Sequence, residues 1–147
     1  DYDAASHLPE ILYREINLAL KEKLGDRLMS RGDVQSGLAK FAKGSPGTAG
    51  SLAVRQASTA IGARYLITVG ITRCSFSGQV MWSNAYKLNV DVVIEDGQTG
   101  KRIAAFNKSV SKSPWLGDST QSWTDYLFEK IVPKLAFDLA SDILKYL

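Results

Sequence analysis

The segment Tyr86-Lys87-Leu88-Asn89-Val90-Asp91-Val92-Val93-Ile94 places apolar residues at every even position and polar ones at Lys87, Asn89 and Asp91. A two-residue period is that of a strand with one face buried and the other wet, the pattern of antiparallel sheets. It predicts Leu88, Val90, Val92 and Ile94 turned toward a core, with Lys87, Asn89 and Asp91 turned away. Downstream, Glu95-Asp96-Gly97-Gln98-Thr99-Gly100 is a turn with two glycines, and Ile103 to Val110 returns as a strand. Upstream, Tyr65, Ile67, Val69 and Ile71 alternate with Leu66, Thr68, Gly70 and Thr72, a third strand with its more apolar face on the odd positions. Three strands in this order form an antiparallel meander.

Helical periodicity flanks the meander on both sides. Leu8, Leu12, Ile16, Leu20, Leu24 and Leu28 recur every fourth residue, which predicts a first helix from about residue 7 to 29, capped by Ser6 and with Pro9 in its first turn. Ser51 to Ile61 reads as a short helix of small residues that ends at Gly62. Trp123, Leu127, Ile131, Leu135, Leu139, Ile143 and Leu147 predict a long C-terminal helix, and Pro133 predicts a kink or break near residues 129 to 133. Between the first two helices the pattern weakens: Gly32 reads as a helix-ending glycine, and Lys43 to Gly50 as a surface loop. The expected architecture is a single α+β domain over residues 1–147: a three-stranded meander, with one extra edge strand as a variant, packed against two long amphipathic helices and one short one.

Composition narrows the function classes. The 45% hydrophobic and 22% charged residues are those of an ordinary globular protein. The 18 basic and 15 acidic residues are scattered rather than gathered on one stripe, which argues against nucleic acid as a partner. No apolar run approaches the roughly 20 residues needed to span a bilayer. The chain opens at Asp1 rather than Met, as expected of a processed or trimmed protein.

Chemistry that would mark an enzyme is sparse. There is one histidine, His7, and one cysteine, Cys74, with no nucleophile or phosphate-loop motif; Cys74 reads as a small buried residue at a strand end. Asp91, Glu95 and Asp96 do not follow the spacing of a calcium loop and read as a solvated strand face and turn. The expectation is therefore a protein without catalytic residues, metal ligands or cofactors. Phe76, Trp82 and Trp115 lie in or beside turns, where burying a large ring is hard to arrange. With Leu116, displayed between Pro114 and Gly117, they are the expected interaction residues; the competing reading folds them back over the core.

A family resemblance begins at Ala60-Ile61-Gly62-Ala63-Arg64-Tyr65-Leu66-Ile67-Thr68-Val69-Gly70. It is similar to the stretch in bacterial envelope lipoproteins of the curli-secretion-channel kind in which a helix ends at Gly-Ala-Asp-Tyr and a strand leads to glycine. Tyr86 to Ile103 resembles the same family's strand, Asp-x-x-Thr-Gly turn and returning strand. Related folds occur in Tol-associated periplasmic proteins. The chain departs from the family in Arg64, where an Asp is usual, and in lacking the strand that precedes the first helix. The resemblance implies an assembly, regulatory or secretion-associated adaptor in the periplasm or at the outer membrane, acting by binding another envelope protein or a second copy of itself. It also implies peripheral membrane association through a lipid anchor upstream of Asp1. The alternative is a periplasmic domain that binds a small molecule or glycan.

Overall fold

The computed structural model describes residues 2–38, 51–79, 83–112 and 127–147. Helix α1 spans Tyr2–Leu24 and continues into a 3-10 turn, Gly25–Arg27. Helices α2 (Arg31–Leu38) and α3 (Ser51–Ile61) follow, then strands β1 (Tyr65–Gln79), β2 (Ser83–Asp96) and β3 (Arg102–Lys112). A π-helical turn, Leu127–Ile131, leads into helix α4 (Val132–Leu144). The three strands form one sheet in the order β1-β2-β3, antiparallel throughout, so the expected α+β meander is present.

The alternation in β2 resolves as expected. Leu88, Val90, Val92 and Ile94 are at most 1% exposed and pack with α1 and α4, while Lys87 and Asp91 are exposed. From α1 come Leu8, Leu12, Ile16 and Leu20, one residue per turn on a single stripe; from α4 come Leu135, Leu139 and Ile143. Ile67, Val69 and Ile71 of β1 and Ala104, Phe106 and Val110 of β3 complete this layer from the flanking strands. At its far edge the Phe106 ring stacks on Tyr146, centroids 6.1 Å apart.

Local chemistry moves several expected boundaries. Ser6 lies inside α1 rather than capping it, and Pro9 is interior rather than in the first turn. Pro9 is solvent-exposed, so water can satisfy the carbonyl whose N–H partner it cannot supply. The helix stops at Gly25, whose φ of 56° suits a residue without a Cβ. Gly32 does not end a helix: it sits in the first turn of α2, a helix that the weak local pattern did not announce. The break expected around Pro133 is present. The chain changes there from π to α geometry, and the proline falls in the first turn of α4, where a missing N–H is harmless.

A bulge between Ile71 and Arg73 inserts Thr72 as an extra residue and reverses the faces of β1 beyond it. Cys74 therefore pairs opposite Leu88 in mid-strand. It is exposed, contrary to the buried strand-end position expected from sequence.

Helix α3 covers one end of the second sheet face, burying Ala57 against Leu66. The fit to the β2–β3 turn is close. A Cβ on Gly97 would meet Ser58 Oγ at 2.6 Å and the Ala63 carbonyl at 2.7 Å, so only glycine allows the approach. In the same turn the Asp96 carboxylate accepts the Gln98 N–H at 2.7 Å and the Thr99 N–H at 3.2 Å, a side-chain cap that fixes the hairpin.

Candidate functional site

Packing α1 and α4 on the sheet leaves the outer flank of β1 uncovered among the described residues. Between that flank, α1 and the start of α2 lies a cleft of about 940 Å³. Leu12, Ile16 and Leu20 of α1 and Ile67, Val69 and Ile71 of β1 give it an apolar floor. Tyr13 stands at its side, 37% exposed.

Backbone polarity is what distinguishes this cleft from an ordinary apolar groove. In an antiparallel ladder, opposed residues alternate between pairs that exchange both hydrogen bonds and pairs that exchange none. The Gly97 N–H donates to the Arg64 carbonyl at 2.6 Å, in register with the β1–β2 ladder, so Arg64 and Gly97 are a bonded pair. Alternation from there directs Leu66, Thr68 and Gly70 toward β2. The N–H and C=O groups of Tyr65, Ile67, Val69 and Ile71 point the other way, to the outer edge of the sheet. Asp96, opposite Tyr65, agrees: its N–H donates at 2.8 Å to Lys101, on the β3 side. Among the described residues, four alternate residues thus offer eight backbone groups along the mouth of the cleft.

The rim is mainly cationic. Arg27, Arg31 and Arg64 line it, against Glu10 as the acidic residue among the lining side chains. Glu10 is engaged in a two-pronged ion pair with Arg31, whose Nη2 donates to Oε2 at 2.8 Å while Nη1 bonds Oε1. That hydrogen bonding, and then the charge of Arg31, holds the Glu10 carboxyl below its ordinary range. The Arg31 guanidinium also lies over the Tyr13 ring, 4.7 Å from its centroid, and Arg64 lies over Tyr65 at 5.5 Å.

A second polar feature sits on the opposite sheet face under α3. Glu95 is 4% exposed and Ser58 1% exposed, and among the described residues neither Glu95 Oε1 nor Ser58 Oγ has a hydrogen-bond partner. Burial pushes the Glu95 carboxyl up, opposed by the charge of Arg102. The solvated position expected for Glu95 is thus corrected, because α3 folds over it. Asp91 is exposed as expected and accepts a hydrogen bond from Asn107 at 2.5 Å.

Of the expected interaction residues, Trp82, Trp115 and Leu116 lie outside the described residues. Phe76 lies in β1 paired with Tyr86, and its side chain is likewise outside the description. Sequence reasoning missed the cleft. Its floor residues were read as core, which they are, and the signal that could have found the cleft was an edge strand with a fully apolar odd face. Among the described residues no group of three or more His, Cys, Asp or Glu could hold a metal ion, and no helix is long and apolar enough to cross a membrane.

Fold and cleft together define an α+β protein with a short antiparallel sheet, one flank of which opens into an apolar, cation-rimmed groove. No protein-family model and no curated protein matches the chain. Among solved structures it is similar to a lipoprotein from Neisseria meningitidis, with 12% identity over 77% of this chain and 74% of that one, at a TM-score of 0.49. It is also similar to a hypothetical protein from Chlamydia trachomatis, with 16% identity over 92% of this chain and 81% of that one, again at 0.49. At such identities and scores neither likeness assigns the chain a family or an activity.

Proposed function

We infer that this protein is a non-catalytic adaptor of the bacterial cell envelope that binds another protein through the cleft beside β1. The observation that carries the reading is the coincidence of an apolar floor with a strand edge that is unpaired among the described residues, because together they suit a polypeptide better than a small solute. The envelope setting, periplasmic or at the outer membrane, rests on the sequence resemblance around Gly62 and the Asp96–Gly100 turn. A curli-channel-like or Tol-associated role belongs to the same proposal.

In the source cell, a photo-crosslinking amino acid at Tyr13, beside the cleft, should capture an envelope protein. The same group at Phe137, exposed on α4 and absent from the cleft lining, should not. Capture from Phe137 alone would place the partner surface elsewhere. Capture of a cytoplasmic protein from Tyr13 would remove the envelope reading.

A further inference from the structure

We propose that the occupant of the cleft is an extended segment of a partner protein, apolar at alternate positions and carrying carboxylates, which adds to β1 as a further strand. The proposal rests on the cleft reading above and names what that site recognises. Three observations converge on it. The outward backbone groups of Tyr65, Ile67, Val69 and Ile71 have a two-residue spacing that only another extended backbone can match. A strand laid there would point alternate side chains over Leu12, Ile16 and Leu20, so its own apolar residues must alternate. Arg31 and Glu10 neutralise each other in their ion pair, which leaves Arg27 and Arg64 as the excess charge among the lining side chains and favours an occupant that supplies negative charge.

From Tyr65 to Ile71 the edge spans about 20 Å at roughly 3.3 Å per residue, room for a segment of about seven residues. The bulge at Thr72 ends the regular stretch, because the outward groups change register there. The matching segment is therefore short and bounded. This mode places specificity in alternate side chains and charge and affinity in the main chain.

The test uses the whole chain, labelled with nitrogen-15, and the synthetic peptide acetyl-Glu-Val-Thr-Val-Thr-Val-Thr-Val-Glu-amide at millimolar concentration. Amide exchange at Tyr65, Ile67, Val69 and Ile71 should slow by about tenfold or more, while Leu66, Thr68 and Gly70, already bonded to β2, stay unchanged. The same peptide with lysine for glutamate should bind at least about tenfold more weakly. Absence of binding by the glutamate peptide, or shifts over α1 without alternating protection in β1, would overturn strand addition; the latter would leave the cleft itself standing. Equal affinity for the two peptides would overturn the charge preference. Alternating protection that rises with concentration of the chain alone would make a second copy the occupant, and protection of Tyr65, Ile67, Val69 and Ile71 that is independent of concentration without peptide would make a segment of this protein itself the occupant; either would overturn the partner proposal. Crosslinking from Phe137 instead of Tyr13 would defeat the cleft reading independently of any of these results.

Discussion

Lys108 Nζ donates to Asp142 Oδ2 at 2.7 Å and so ties β3 to the last turn of α4. Asp142 also accepts from Lys145 at 3.1 Å, and these two hydrogen bonds, with the charges behind them, hold its carboxyl below the usual range. A depressed carboxyl contributes stability that is present above its unfolded pKa, about 3.9, and lost as pH falls through the folded value. Both partners are partly exposed, which limits the pair to about 0.2–1 kcal/mol. Asp142→Asn should therefore lower the melting temperature slightly at pH 7 and by less at pH 3, measured by calorimetry at low salt.

Val90 has 0% exposure at the centre of the sheet between both long helices. An aspartate there leaves an uncompensated buried carboxylate, costing several kcal/mol against a total stability of roughly 5–15. Val90→Asp should abolish cooperative unfolding in circular dichroism, whereas Asp91→Val on the exposed face should leave the transition in place.

Glu95 has the opposite linkage to Asp142. Its carboxyl is raised by burial, so the native state holds a proton that the unfolded chain releases near pH 4.3, and stability declines as pH rises from there through the folded value. Replacing the charge with a neutral isostere removes that loss. Glu95→Gln should raise the melting temperature at pH 7, with the gain disappearing below about pH 4; an equal gain at both pH values would contradict a buried carboxylate.

The contrast between Val90 and Glu95 shows what was legible in the sequence. Alternation in β2 is a local period, so the face of Val90 could be read directly, and Pro133 broke its helix through its own missing N–H. Glu95 lies in the same strand, but its burial depends on α3 folding over the second face, a tertiary event that no local pattern encodes. Helix α2 was missed because Arg31 to Leu38 has two glycines and little apolar period. The cleft was missed for a related reason: Ile67 and Val69 alternate as core residues do, and only the sheet order reveals that their backbone groups face an edge left open among the described residues.

Proline scanning distinguishes the two backbone sides of β1. Val69 points its N–H outward, so Val69→Pro removes a donor that β2 does not use, as edge strands tolerate. Thr68→Pro removes a ladder bond and should cost about 1–3 kcal/mol more, even though Val69 gives up more apolar packing. Denaturant titrations of both variants check the order, and a more damaging Val69→Pro would mean that the ladder is phased the other way.

The open edge of β1 is tested most directly by residue-resolved amide exchange of the chain without any added ligand. Tyr65, Ile67, Val69 and Ile71 should exchange at least about tenfold faster than Leu66, Thr68 and Gly70 between them, in strict alternation. Uniform protection along all seven residues would show that the edge is already paired within the protein, and the cleft could then receive no partner strand.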